Sequence, residues 1–285
     1  MALLLSHSVH VVLYSGEFLT KTTAAPSQEP AVSVGNVGQL AVDMVISTLW
    51  MERIGYIYHD SILPLVGNDP FAHPESVSCK IVTSCEVYEN IESKTIIIQQ
   101  RSPFIRGKRT SFKQWLKTWM KEEKIEQLVI LTSSHAHERI DCQLEGSQFR
   151  FIAGPTIEAH EIKELKSNLE WQELEKRLGE DEMRSGNDSS SIYIPGAGIA
   201  KSLFQECSNE MKVCILLMFC AEGDNAGDAL ELAKHMNDWL NIIDMEPKRI
   251  IGIDGKPVLM PGLSWKVPHS WKLMYGSNVD RTLFH

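Results

Sequence analysis

The sequence predicts an α/β fold, and three observations carry that prediction. Pro30 to Asp43, PAVSVGNVGQLAVD, joins a short apolar alternation (Val32, Val34) to a Gly35-x-x-Gly38 turn and then to an amphipathic helix. Strand, glycine turn and helix in succession is how a βα unit of a parallel sheet begins. Two segments, Gln127 to Leu131 (QLVIL) and Lys212 to Cys220 (KVCILLMFC), are short continuous apolar runs that follow helical patterns. Such runs suit strands covered on both faces. Strand-like and helix-like periodicities alternate along most of the chain, which predicts a layered α/β domain.

The elements follow in order. In the first helix Val37, Leu40, Ala41, Met44, Val45 and Leu49 recur at spacings of three and four, one apolar stripe. Ile54 to Asp60 (IGYIYHD) is a strand by its aromatic and β-branched content. Gly67 to Pro74 is a loop, and Lys80 to Tyr88 and Thr95 to Gln100 are strands across a polar bend, hence antiparallel neighbours. Ser111 to Lys124 is a helix with Phe112, Trp115, Leu116 and Trp119 on one side and Ser111 as its cap. The strand Gln127 to Leu131 ends in a polar loop, Thr132 to His135. Thr156 to Met183 is a long charged helix, or two, with Leu165 and Leu169 inward. Gly179 to Ser191 (GEDEMRSGNDSSS) is an acidic surface loop. Ile192 to Pro195 is a brief strand, and Ile199 to about Cys207 a helix. After the buried strand Lys212 to Cys220, Glu222 to Asn225 turns the chain, and Asp224 or Asn225 caps a helix with the stripe Ala226, Ala229, Leu230, Ala233, Met236, Leu240 and Ile243. Pro247 to His285 is irregular, rich in Pro, Gly and Trp. The organisation expected is an atypical N-terminal segment over 1–29, an α/β domain over 30–246 and a C-terminal extension over 247–285.

Whole-chain properties bound the function. At 285 residues, 43% apolar and 23% charged, the chain can bury a core without staples. Its formal charge of −9 argues against general attraction to nucleic acid or anionic lipid. The basic runs Arg101 to Lys108 and Arg109 to Lys124 are interleaved with apolar residues and read as the wet side of a helix. The six cysteines, Cys79, Cys85, Cys142, Cys207, Cys214 and Cys220, form no C-x-x-C and have no histidine at metal-ligand spacing. They read as reduced thiols of the cytosol or nucleus. No apolar run reaches the roughly 18 residues of a membrane span. The first basic residue is Lys21 and the first arginine Arg53, which speaks against a secretory or mitochondrial leader.

Several constellations invite chemistry, and each has a plainer reading. Gly35-x-x-Gly38 can present N–H groups to a phosphate, with Asp60 roughly where a dinucleotide fold keeps its ribose-binding acid. The fuller G-x-G-x-x-G is missing, so turn glycines are favoured. Ser133, Ser134 and His135, near His137, Glu138 and Asp141, lie at a strand end, but sequence neighbours cannot form a nucleophilic relay and no G-x-S-x-G stands there. Gly196-Ala197-Gly198 and the acids Glu222, Asp224 and Asp228 are explained by a turn and by helix caps. No cofactor or metal is called for. The chain closes Leu283-Phe284-His285: hydrophobic, aromatic, any residue, carboxylate. Such a tail suits a partner's pocket, where burying the ring is worth about 1.5–3 kcal/mol. That is weak alone and calls for a second contact.

PAVSVGNVGQLAVD also resembles the opening of the proteasome assembly chaperone 2 family of eukaryotes. Further matches follow in order: Gly55-Tyr56 with Pro64 and Val66-Gly67-Asn68, Val129-Ile130-Leu131 into Ser133-Ser134-His135, and Ile194-Pro195-Gly196 with Gly198-Ile199. Glu222-Gly223-Asp224-Asn225 with Asp228-Ala229-Leu230, and Trp265-Lys266-x-Pro268-x-Ser270-Trp271, complete the series. The resemblance implies a three-layer α/β/α sandwich with a mixed, mostly parallel sheet and a phosphorylase-like outline but no catalysis. It implies pairing with proteasome assembly chaperone 1, binding to proteasome α subunits, promotion of α-ring formation and blocking of off-pathway ring pairing, in cytoplasm and nucleus. It makes Leu283, Phe284 and His285 the partner-binding residues, with Phe284 where the family's motif has tyrosine. The competing reading is a nucleotide- or nucleoside-binding enzyme using Gly35, Gly38 and the Ser133–His135 loop. Two departures stand out. Lys21 to Glu29 (KTTAAPSQE) replaces the apolar strand that in the family runs straight into PAVSVGNVG. Either Val9 to Tyr14 supplies that strand across a long loop, or this N-terminus is an alternative start. Arg249 to Leu263 reads as an insertion before the tryptophan-containing end.

Overall fold

The structure, a computed structural model, describes residues 10–14, 33–72, 75, 80–175, 192–251 and 257–273. Its centre is a seven-stranded sheet in the order β2-β5-β6-β1-β7-β9-β8. The strands are β1 (His10–Tyr14), β2 (Glu52–Tyr56), β5 (Cys85–Asn90), β6 (Thr95–Gln100), β7 (Gln127–His135), β8 (Phe149–Ala153) and β9 (Lys212–Cys220). Two small antiparallel pairs lie apart: β3 (Val66–Asn68) with β4 (Ile81–Thr83), and β10 (Lys248–Ile251) with β11 (Pro257–Met260). The helices are α1 (Val37–Leu49), α2 (Arg109–Glu122), α3 (Ala159–Ser167), α4 (Ala200–Cys207) and α5 (Ala226–Leu240).

Why the central strands are apolar without interruption is plain from their neighbours. Alternate residues of a strand point to opposite faces. In β7 and β9, Val129, Leu131, Cys214, Leu216 and Met218 join a cluster with α1 and α5 residues such as Leu40, Met44, Leu232 and Met236. Leu128, Ile130, Val213, Ile215 and Leu217 join a second cluster with Phe112 and Leu116 of α2 and Leu203 of α4. Helices therefore cover both faces of the sheet. Parallel ladders link β6, β1, β7 and β9, while β2–β5, β5–β6 and β8–β9 are antiparallel. A mostly parallel sheet thus holds for the centre only.

The first strand of the sheet is supplied from the N-terminal segment. His10–Tyr14 lies between β6 and β7, parallel to both. The alternation at Val32 and Val34 is not a strand in its described part: Ser33 makes one bridge to Ala197, and residues 34–36 form a 3-10 turn. Val32 lies outside the described residues.

Other differences have local causes. The strand expected over Lys80 to Tyr88 breaks at Ser84, whose hydroxyl donates to Leu63 O (2.7 Å) and accepts from Leu65 N (2.6 Å). Gly67 belongs to β3 rather than to a loop. β7 runs through residues 132–134, because their hydroxyls find backbone acceptors and need no water. Of the helix, or two, expected over Thr156 to Met183, the described residues carry α3: Glu170 then turns at φ 56°, and the chain pairs with β8 through Phe151 and Glu173, while residues 176–183 lie outside the described residues. Residues 192–195 are not a strand; Ile194 is buried beside a tight turn. Ser111 lies inside α2, whose N-cap is Lys108. Arg101 is not on a wet helix side but buried against Asp43. The stretch read as an irregular insertion carries the β10–β11 pair. The acidic loop 179–191 lies outside the described residues.

Candidate functional site

Open α/β sheets bind ligands in the crevice beyond the carboxyl ends of their parallel strands. Here that place holds the turn at 33–36, the end of β7 and the loop at 194–198, and the chain fills it with itself. Val34 N–H donates to Gly196 O (3.1 Å), and Ser33 bridges Ala197. The three hydroxyls at the end of β7 are all engaged: Thr132 Oγ1 donates to Ala197 O (3.2 Å), Ser133 Oγ to Val34 O (2.5 Å) and Ser134 Oγ to Pro195 O (2.7 Å). The Cys220 thiol, at the end of β9, reaches Val34 O as well (3.3 Å).

The glycines of this corner serve packing. Gly35 has φ 63°, and a Cβ added there would lie 2.2 Å from Asn225 Nδ2. The amide of buried Asn225 thus occupies the space a phosphate cradle needs. Gly196, at φ 77°, is pressed by Val34 and by His135, whose Nε2 would lie 2.8 Å from an added Cβ. The turn reading of both glycine motifs accounts for these contacts, and the nucleotide cradle does not.

The remaining chemical candidates are brought together only in part. His135 and His137 have ring centroids 4.9 Å apart. Glu138 and Asp141 lie in separate 3-10 turns, and Ser133 and Ser134 hold backbone oxygens, so no serine relay is assembled. Asp60 pairs with Lys108 at the exposed surface (3.2 Å). Asp224 accepts from Ala226 N–H at the start of α5 (3.1 Å), while the Asn225 side chain makes no capping bond there. Burial, then Glu231 and Asp224, push the Asp228 carboxyl up from its ordinary value. Among the described residues no group of His, Cys, Asp and Glu is arranged to hold a metal ion. Burial pushes the thiols of Cys207 and Cys220 up to about 11 and about 12, and raises Cys85 and Cys214 further. Thiols held protonated in this way are poor nucleophiles.

A buried ionic network, missed in the sequence, ties α1 to β6 and β5. Arg101 Nη2 donates to Asp43 Oδ1 (2.8 Å), and Gln99 Nε2 donates to the same oxygen (2.7 Å). Beside it Tyr88 Oη donates to Glu86 Oε2 (2.7 Å), and Arg53 donates to Glu86 Oε1 (2.8 Å). Burial, the largest influence, acts to lower the Arg101 pKa, but the Asp43 carboxylate carries it above the ordinary arginine value. The one clue in the sequence is Asp43 itself, an acid within the apolar run of α1.

Leu283, Phe284 and His285 lie outside the described residues; upstream of them, residues 262–271 are held against the body. Trp271 is buried in the cluster of α1 and α5. Lys266 N–H donates to Thr48 Oγ1 (2.9 Å), and its ammonium sits 4.7 Å from the Trp50 ring centroid. Leu263 N–H donates to Asp244 O (2.9 Å). At Gly262 a Cβ would lie 2.1 Å from Met245 O, so only glycine fits that approach.

Comparison with known proteins agrees with this picture. The sequence matches the PAC2 family over residues 28–247. It is 41% identical over 257 residues to proteasome assembly chaperone 2 of Homo sapiens, covering 90% of this chain and 93% of that one. To the Danio rerio protein of the same name it is 38% identical over 279 residues, 94% of this chain and 100% of the other. The fold is similar to that of Pyrococcus furiosus PbaA, an archaeal homolog of proteasome-assembly chaperone, with TM-score 0.53 at 18% identity over 82% of this chain and 81% of that one. A Thermoplasma acidophilum protein of unknown function superposes with TM-score 0.55 at 14% identity, over 82% and 77%. The chain belongs to the PAC2 family, alongside the vertebrate proteins named proteasome assembly chaperone 2.

Proposed function

We propose that this protein is a non-enzymatic chaperone of proteasome core assembly, acting as a heterodimer with proteasome assembly chaperone 1. The observation that carries this reading is likeness to proteins of that name over nine-tenths of the chain, at about 40% identity. The pair would hold proteasome α subunits, promote α-ring formation and keep unfinished rings from pairing with each other. The work is steric, needs no cofactor, and belongs to the cytoplasm and nucleus. The helix-covered sheet is consistent with a three-layer α/β/α sandwich of phosphorylase-like outline, and 247–285 with an extension that carries the binding tail.

In this mechanism a body face and the tail bind together. Leu283, Phe284 and His285 enter a pocket between α subunits: the ring fills an apolar slot and the carboxylate meets a lysine or backbone donors. Lacking a tyrosine hydroxyl, Phe284 forgoes one hydrogen bond, worth about 0.5–1.5 kcal/mol net. A tail tethered to a docked body meets its pocket at a raised effective concentration. The filled crevice at residues 33–36, 132–135 and 194–198 argues against the enzyme reading, since both glycine turns and both serines are occupied by the protein's own atoms.

Phe284→Ala tests the tail. Capture of α-subunit assemblies in a pull-down is expected to weaken while the fold stays unchanged; undiminished capture removes the tail from the mechanism. A thermal shift with ATP or a nucleoside, abolished by Gly38→Val without unfolding, would favour the enzyme instead.

A further inference from the structure

The two edges of the central sheet are treated differently. Unpaired backbone on an edge strand is a template for another chain, and proteins usually cover it. At the β8 edge the chain covers itself: Phe151 N–H donates to Gln172 O (3.1 Å) and Leu174 N–H to Phe151 O (2.9 Å). At the opposite edge, β2 pairs with β5 alone, and among the described residues no backbone hydrogen bond reaches its outer side.

That uncovered edge is flanked by apolar side chains. Tyr58 is 93% exposed, Val66 66%, Tyr56 57% and Ile81 49%, with Leu63 and Leu65 at 42% and 40%. Hydrogen bonds gather these residues around 81–85. Arg53, whose guanidinium lies over the Tyr56 ring, donates to Ile81 O. Ile57 N–H donates to Cys85 O, Ser84 binds both Leu63 and Leu65, and Val66 pairs with Thr83. Together they expose roughly 600 Å², at the upper end of the about 300–600 Å² of a monomer's largest apolar patch and short of the about 800 Å² per partner of a stable interface.

We propose that the β2 edge with Tyr56, Tyr58, Val66 and Ile81 is the surface on which the partner chaperone docks, its own extended edge strand pairing with β2. The inference rests on the heterodimer reading above. Unpaired N–H and C=O groups call for an extended backbone, and the flanking apolar side chains call for an apolar margin beside that strand. A bulge between Arg53 and Gly55 selects against a second copy of this chain. Antiparallel self-pairing of a five-residue strand sets bulge against bulge, whereas a different subunit with a regular edge meets only one irregularity.

The test uses the full chain co-expressed with proteasome assembly chaperone 1. Tyr58→Asp combined with Val66→Lys is expected to lower the captured partner at least tenfold with an unchanged thermal midpoint; Leu144→Asp, at an exposed apolar residue of a different segment, is the control. With the unsubstituted pair, amide exchange of Ile54, Gly55 and Tyr56 is expected to slow tenfold or more on association. Full capture by the doubly substituted chain, or unchanged exchange in β2 of an intact pair, overturns the edge assignment and leaves the heterodimer standing. An unsubstituted chain that captures no partner removes the heterodimer and with it the occupant. A chain that instead dimerises alone with β2 protected replaces the partner by a second copy and overturns the proposal in that respect.

Discussion

Gly35 is held at φ 63° with the Asn225 amide filling the space where a side chain would begin. Gly35→Ala is expected to lower stability by about 2 kcal/mol, through backbone strain and the clash together. Thermal unfolding measures it, and Asn225→Ala in the same chain should recover part of the loss but not the part due to φ. Asp43 and Arg101 form a pair whose side chains are 4% and 9% exposed. Asp43→Ala leaves a buried guanidinium without its counter-charge and should cost about 3–5 kcal/mol, readable as a shift in denaturant midpoint. At this scale the sequence was half legible. The tight-turn role of Gly35 follows from turn chemistry, which is local. What presses on Gly35 comes from Asn225, and what neutralises Arg101 comes from Asp43; neither is near in sequence.

Helix α5 lies against β8 through an aromatic cluster. His235 stacks on Phe149 at a centroid distance of 4.0 Å and meets Trp171 edge-on at 5.6 Å. Burial, the largest influence, lowers the His235 pKa from its ordinary 6.5, against the opposing pull of Glu231 and Asp238. The folded state therefore prefers the neutral ring, while the unfolded chain takes up its proton first on acidification. Stability from this contact is fully present above about pH 6.5 and declines as pH falls through the folded value. The thermal midpoint should drop between pH 7.5 and 5.5, and His235→Phe should flatten part of that drop. An equal drop in the variant would assign it to other groups. Elements with strong periodicity were legible: β9 is Lys212–Cys220 as read, and α1 starts at Val37. Strands whose partners are remote were not. β1 finds its place only through β6 and β7, and the helix after Thr156 stops where the chain turns back to cover β8. Periodicity carries no information about such edges.

On the scale of the whole molecule, a sheet covered by helices on both faces has lost its customary ligand crevice to its own loops, while the β2 edge pairs with β5 alone and Trp271 of the C-terminal segment is buried against the body. The α/β class was legible because two central strands are apolar throughout. The filled crevice was not, since hydroxyls that hold backbone oxygens look the same in sequence as hydroxyls that do chemistry. The proposed tail and edge contacts suit a protein that acts by covering another. Deleting the last three residues should weaken capture of α subunits and leave capture of the partner chaperone intact, because the two proposed contacts lie on different segments. A quantitative pull-down of both partners separates them. The most direct test of the central claim is affinity purification of the intact protein from cells, with bound proteins quantified by mass spectrometry. Proteasome α subunits and the partner chaperone should dominate the bound fraction in comparable amounts; a preparation carrying no proteasome subunit would contradict the account.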